Sequence, residues 1–262
     1  MPDRWVRFRQ GDSVSIGLLE GERIRVCEGG LFDHPTPTDR LLDIADVTLL
    51  TPVQPTKVIA LWNNFHALAR KLDLPDPAEP LYLIKAPNSY LAPGAVIRPP
   101  AGAGKVVYEG ELAIVIGRRA SAVTLEQAPG HVFGYTCVND VTLAEVLHRD
   151  ASFPQWVRAK GCDTFCPFGP VIATGLDPAE LVVKTYLDGA LRQDYPISDM
   201  RFSVAQLVSL ISHDMTLEPG DLILCGTSVG VGSMKPGSTV EVEIAGIGKL
   251  SNRFESSRQG SP

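Results

Sequence analysis

The stretch Val106-Val107-Tyr108-Glu109-Gly110-Glu111-Leu112-Ala113-Ile114-Val115-Ile116-Gly117 constrains this chain more than any other. It is apolar and rich in β-branched residues, the signature of a buried strand, yet Glu109 and Glu111 sit inside it. Residues i and i+2 of a strand point to one face, so the run predicts two carboxylates aimed at one spot. Adjacent anions on a buried element repel each other and lose hydration. Either one of them is protonated or a cation compensates them. Hard oxygen ligands suit Mg²⁺, Mn²⁺ or Ca²⁺. On the pair alone, an edge strand with a solvated polar face is the alternative.

A chain of 262 residues has room for one large domain, or a large one with a small companion. Its net charge of −6 and scattered basic residues argue against nucleic acid as the main partner. No apolar run approaches the roughly 18 residues of a membrane span, and the first residues have no apolar core of the kind a secretory signal needs. Cys27, Cys137, Cys162, Cys166 and Cys225 are odd in number and contain no Cys-x-x-Cys pair. Free thiols in a reducing cytoplasm are the expectation.

Taken in order, Val14–Leu18 and Arg23–Val26 alternate with period two around Leu19-Glu-Gly-Glu, a hairpin pattern. Prolines at 35, 37, 52 and 55 then suggest a boundary near residues 50–55. The N-terminal segment is too short to stand alone and should pack on the rest. A strand from Lys57 leads into Trp62–Leu72, where Trp62, Phe65, Ala69 and Leu72 recur at helical spacing and put His66 on the opposite face. A lone helical histidine is usually a solvated surface residue. Residues 75–100 are proline-rich and should form loops around one short strand, Leu81–Lys85. His131–Val138 reads as a strand ending at Asn139-Asp140, where the acid caps the following helix or turns inward as a third ligand. Leu181–Arg192 reads as a hairpin about Asp188-Gly189, and Ser203-Val-Ala-Gln206 as a capping box opening a helix through Ile211. The glycine loop Gly226–Lys235 follows a strand but lacks the Gly-Lys-Ser/Thr ending of a phosphate loop. Thr239–Ile244 and Lys249–Phe254 make a last strand pair, and the tail should fray from Glu255.

Several of these pieces fall in the order and spacing of one family. They are Tyr108-Glu-Gly-Glu-Leu-Ala-Ile-Val-Ile-Gly, Gly134-Tyr-Thr-Cys-Val-Asn-Asp140 and Ala159-Lys-Gly-Cys-Asp-Thr-Phe-Cys-Pro-Phe-Gly-Pro. Ser198-Asp-Met, Met215-Thr-Leu-Glu-Pro-Gly-Asp, Gly226-Thr-Ser-Val-Gly-Val-Gly and Gly246-Ile-Gly complete the set. Over roughly residues 55–254 the chain resembles the fumarylacetoacetate hydrolase family, bacterial members of which carry a small N-terminal β segment. The resemblance implies an α+β, β-rich fold: a mixed, rolled, barrel-like sheet in residues 53–262 and a small β domain in residues 1–52, usually dimerised. It further implies that Glu109, Glu111 and Asp140 hold one divalent metal, Mg²⁺ foremost.

Three carboxylates give such an ion three oxygens and leave about three of six octahedral positions for a 2-oxo acid and water. The site and its substrate are then both anionic, so cations must line the pocket. By resemblance Lys160 stabilises the oxyanion or enolate, Lys85 lies in a matching lysine segment, and Thr227, with Gly226 before it, meets the substrate carboxylate. His66 falls where relatives carry a catalytic histidine, but no acid stands three residues on, at Ala69. The Arg and Gln that acylpyruvate-cleaving relatives place four and seven residues after the metal aspartate are here Ala144 and Leu147. His148, Arg149 or Arg158 would have to replace them, or the substrate is less polar at that end. The leading expectation is metal-dependent hydrolysis of a C–C bond in a β-diketo acid of acylpyruvate type, as in aromatic catabolism, through a metal-bound enolate. Decarboxylation, isomerisation or hydration of a 2-oxo acid through the same enolate is the second, and a non-catalytic metal-binding scaffold the third.

Overall fold

The structure, a computed structural model, describes residues 2–257. Its first strands are β1 (Arg4–Gln10), β2 (Ser13–Glu20), β3 (Arg23–Glu28), β4 (Thr36–Asp43) and β5 (Thr48–Leu49). There follow β6 (Val58–Trp62), α1 (His66–Leu72), β7 (Leu81–Lys85), β8 (Tyr90–Leu91), β9 (Val96–Ile97), β10 (Val106–Tyr108) and β11 (Gly110–Ile116). Next are β12 (Val132–Asn139), β13 (Thr142–Leu143), α2 (Ala144–Leu147), α3 (Trp156–Lys160), β14 (Cys166–Ala173), β15 (Val182–Leu187) and β16 (Ala190–Pro196). The chain ends in α4 (Val204–Asp214), β17 (Leu222–Leu224), β18 (Gly232–Ser233), β19 (Thr239–Ile244) and β20 (Gly248–Phe254).

A mixed twelve-stranded sheet runs in the order β4-β3-β2-β1-β14-β12-β11-β17-β6-β7, with β5 beside β1 and β8 beside β14. A five-stranded sheet (β16-β15-β19-β20-β9) and a three-stranded one (β13-β10-β18) complete the fold. None of these strand orders returns on itself, so the fold is β-rich with open mixed sheets, and the expected barrel-like closure is not present. The N-terminal strands join the large sheet directly, because β1 pairs with β14 through Arg4↔Ala173 and Trp5↔Ile172. Among the described residues no helix is long and apolar enough to cross a membrane.

Strand β11 lies at the centre. Leu112, Ile114 and Ile116 face one core, with Val183, Ile244 and the apolar side of α4, while Ala113 and Val115 face another, with Val58, Ala60 and Phe168. Burial on both faces explains the continuous apolar run of its sequence. A third, smaller core gathers Val106, Tyr108, Val141, Leu143, Leu147, Ala159 and Phe165 beneath the carboxylates. The hairpin β15–β16 turns at Asp188 and Gly189, both with positive φ, the backbone that Asp-Gly favours. Helix α4 opens on the expected capping box, with reciprocal bonds between Ser203 and Gln206.

Three expectations change. The run from Val106 is two strands, broken at Glu109 and assigned to different sheets. The helix expected from Trp62 starts only at His66, because Trp62 ends β6, where it pairs with Leu81, and its ring meets that of Trp156 at a tilt, with centroids 5.4 Å apart. Glu255 is tied down, its N–H donating to Ile97 O at 3.0 Å; the expected fraying of residues 258–262 lies outside the described residues.

Candidate metal centre

The break at Glu109 brings the acids together. Leaving β10, the Glu109 N–H donates to the Asn139 side-chain oxygen at 2.9 Å, and the Asp140 N–H donates to Glu109 O at 2.8 Å. The end of β12 is thereby stitched to the β10–β11 junction. Gly110 follows: its N–H donates to Gln193 Oε1 at 3.0 Å, and its carbonyl accepts from the hydroxyls of Tyr195 at 2.6 Å and Thr227 at 3.0 Å. A side chain here would begin 2.0 Å from Thr185 Oγ1, so only glycine fits. On its far side Glu111 Oε2 accepts the Gly226 N–H at 2.8 Å, at a turn where Gly226 takes φ +87. The result is that one carboxylate oxygen from each of Glu109, Glu111 and Asp140 lies within 4.8 Å of the others. Oxygens so spaced can share one cation with bonds of about 2.0–2.6 Å.

Two buried lysines accompany the acids. Lys160, the last residue of α3, donates from Nζ to Glu109 Oε2 at 2.6 Å, Asp140 Oδ2 at 2.5 Å and Thr142 Oγ1 at 2.8 Å. Lys85, the last residue of β7, donates to Asp140 Oδ1 at 2.5 Å and to Lys160 O at 2.8 Å. With all five groups ionised the cluster carries −1. Burial raises the Asp140 carboxyl, but the Lys160 and Lys85 ammoniums outweigh it and leave it below the usual range. Burial also raises Glu109, with Lys160 only partly compensating. Glu111 stands well above the usual range, through burial and then the charge of Asp140. Burial alone would lower Lys160, yet Asp140, Glu109 and Glu111 together carry it above its ordinary value. The two lysines thus neutralise only part of the site, and Glu111 is the acid left short of positive charge. A divalent cation answers that deficit. Asn139 Nδ2, beside Glu109, is a buried donor without a partner among the described residues, consistent with a site that receives a further oxygen.

The other candidates fall into two groups. Thr227 and Gly226 are at the centre, but through bonds to Gly110 O and Glu111 rather than as free groups. Lys85 is fully buried and spends its ammonium on Asp140. His66 opens α1, half-buried, and among the described residues no hydrogen bond or ion pair joins its ring to the carboxylates. Leu147 packs in the small core and Ala144 is half-buried; His148, Arg149 and Arg158 are all exposed. Gln193 and Tyr195 escaped the sequence reading. Their signal is that they are the two inward positions of β16, whose other residues are exposed. A glutamine chosen for an inward position signals a polar duty.

A family model described as fumarylacetoacetate (FAA) hydrolase C-terminal matches residues 57–255, and one described as Rv2993c-like, N-terminal matches residues 3–52. The chain is 42% identical over 266 residues to Protein Rv2993c of Mycobacterium tuberculosis, covering 98% of each. It is 35% identical to oxaloacetate tautomerase YisK of Bacillus subtilis, over 83% of this chain and 78% of that one. The structure of 2-hydroxyhepta-2,4-diene-1,7-dioate isomerase from Mycobacterium marinum superposes with a TM-score of 0.90 at 39% identity, covering 98% of this chain and 100% of that one. That of maleylpyruvate hydrolase from Sphingobium sp. SYK-6, in complex with manganese(II) and pyruvate, gives 0.79 at 26% identity, covering 97% and 100%.

Proposed function

Because the chain belongs to the fumarylacetoacetate hydrolase family, we propose that it is a divalent-metal enzyme of 2-oxo acid enol–keto isomerisation, with decarboxylation as the companion reaction. The observation that carries this reading is Lys160 Nζ, held by Glu109, Asp140 and Thr142 in the middle of the carboxylate cluster. It is an ammonium fixed where negative charge develops on a 2-oxo acid as its enol forms. Hydrolysis, the leading expectation from sequence, asks in addition for a base that activates water. His66 has Ala69 where an acid partner would stand, one turn further along α1, which favours proton transfer within the substrate over attack by water. The similarity to an isomerase at 39% and a tautomerase at 35% identity supports the same ordering, with hydrolases at 32% and 26%.

Glu109, Glu111 and Asp140 would hold the metal, Mg²⁺ or Mn²⁺, which supplies Lewis-acid polarisation of the substrate oxygens when bound. Lys160 Nζ keeps a proton directed at the same place. Lys85 holds Asp140 and the Lys160 carbonyl in register from behind. Thr227, donating to Gly110 O and accepting from Gln193 Nε2 at 2.9 Å, fixes the rim that a substrate carboxylate approaches. His66 is retained as a residue of the mouth rather than as the base of a dyad. The same reading takes residues 1–52 as a separate N-terminal unit and the enzyme as a homodimer. It places the protein in a reducing cytoplasm, with which its five unpaired cysteines agree.

The test is product analysis with Mg²⁺ or Mn²⁺ on enolic oxaloacetate and on 2-hydroxyhepta-2,4-diene-1,7-dioate. Loss of the enol absorbance without cleavage, or release of CO₂, is expected, and chelation should abolish both. Oxalate and acetate from oxaloacetate, by addition of water to its keto carbon and rupture of the adjoining C–C bond, would establish hydrolysis and overturn the reading.

A further inference from the structure

Resting on the 2-oxo acid reading above, we propose that Arg201 binds the far carboxylate of a dicarboxylic substrate, taking it in exchange for Asp76. The two lysines of the cluster are committed to Asp140 and Glu109, and the residues at 144 and 147 are apolar. A second carboxylate therefore needs a cation from elsewhere. Arg201 is a guanidinium with 8% of its side chain exposed, and its ion pair is with Asp76, whose side chain is 78% exposed. That pair runs through Nη1; Nε is buried and has no partner among the described residues.

A short run of hydrogen bonds joins the Arg201 backbone to the carboxylate cluster. Its N–H donates to Asn64 O at 2.9 Å, and the Phe202 N–H donates to Asn64 Oδ1 at 3.1 Å. Asn64 Nδ2 in turn donates to Cys225 O at 2.9 Å. The next residue, Gly226, is the one whose N–H meets Glu111. The hydrogen-bond path from the Arg201 backbone to Glu111, a proposed metal ligand, runs through Asn64 and the Cys225–Gly226 peptide. The loop carrying Asp76 is tied to the same junction, since Asn63 Nδ2 donates to Pro75 O at 3.0 Å. Asp199, two residues before Arg201, accepts the Ala67 N–H in the first turn of α1.

The energetics favour exchange. Releasing Asp76 returns an exposed carboxylate to water at small cost. Arg201 cannot follow it, and a buried guanidinium left alone is unfavourable. A substrate carboxylate can engage Nε and one Nη together, the two-pronged geometry that guanidinium favours, and so satisfies the atom that Asp76 leaves bare. A monocarboxylic acid has nothing to offer Arg201, and Asp76 stays in place.

The experiment is calorimetric titration of the Mn²⁺-loaded protein with 2-oxoheptanedioate and with 2-oxoheptanoate, for wild type, Arg201→Gln and Asp76→Asn. Wild type should bind the diacid at least about tenfold more tightly, the scale of a charge-assisted hydrogen bond, and Arg201→Gln should bring the two acids level. Asp76→Asn removes the competitor, so it should tighten the diacid severalfold and leave the monoacid unchanged. This exposed substitution keeps the proposal open to refutation should Arg201→Gln fold poorly. A preference for the diacid that survives Arg201→Gln, or an Asp76→Asn effect equal on both acids, would overturn it. The diacid preference without isomerase or decarboxylase turnover would defeat the functional reading and leave Arg201 standing; turnover with equal affinities would do the reverse.

Discussion

Replacing Glu111 by glutamine should stabilise the metal-free protein and destroy its response to metal. The amide keeps an oxygen for the Gly226 N–H, so the substitution changes charge far more than shape. At 4.8 Å, the outer limit of the carboxylate spacing, two negative charges repel by about 3.5 kcal/mol at an effective dielectric of about 20. Attraction to Lys160 offsets part of this and leaves about 1–2 kcal/mol. For a chain of this size that is a rise in Tm of about 2–8 °C. The pH dependence follows from the raised Glu111 carboxyl. Between its unfolded and folded pKa values the folded protein holds a proton that the unfolded chain has released, so stability falls as pH rises through that window. The gap between variant and wild type should therefore open with rising pH and close below the ordinary carboxylate range. Thermal melts in chelator across pH 4–9 (about one melt per unit) measure it. In excess Mn²⁺ the order should reverse, because only wild type gains the free energy of binding the ion. A variant that melts lower than wild type in chelator at every pH would refute the argument that Glu111 is the crowded acid.

Other substitutions probe the remaining parts. Lys160→Met leaves Glu109 and Asp140 without their shared ammonium; we expect a loss of about 3–5 kcal/mol by denaturant unfolding in chelator, and turnover reduced by about 10²–10³. Gln193→Leu frees the Gly110 N–H and Thr227 Oγ1 between Glu109 and Glu111, two proposed metal ligands, and should weaken Mn²⁺ binding about 10–100-fold by calorimetry. Ser203→Ala breaks the capping box of α4, whose bonds go to Gln206 and to none of the carboxylates, and should cost about 1 kcal/mol in denaturant unfolding with Mn²⁺ affinity unchanged.

How much of this was legible in the sequence depends on the range of the interaction. Hairpins and caps were, because Asp188-Gly189 and Ser203…Gln206 act within four residues. The acidic triad was legible by type, since carboxylates in an apolar run demand compensation. Its geometry was not. Alternation along one strand placed Glu109 and Glu111 together, whereas the chain changes sheets at Glu109 and the convergence is imposed by Asn139, Gln193, Tyr195 and Thr227. Gln193 lies 83 residues from Gly110, and no local pattern encodes a contact of that range. Trp62 failed for a related reason: its spacing to Phe65 and Ala69 mimics a helix, but pairing with Leu81 held it in β6.

The positions at 144 and 147 carry the argument furthest. Read against relatives, Ala144 and Leu147 looked like a polar wall removed, with nearby basic residues as candidates to restore it. The fold answers differently, because Leu147 packs with Leu143 and Val146 in the small core under the site, and burying a leucine there contributes about 1.5–3 kcal/mol. A longer polar side chain at 147 would have to leave that core or bury an unpaired amide. On the proposed 2-oxo acid reading, packing at 147 takes the place of a substrate contact, and a charge at the far end of the substrate would be met from another direction. Arg201, whose backbone is tied to Asn64 and whose side chain is 8% exposed, is the cation proposed to meet it.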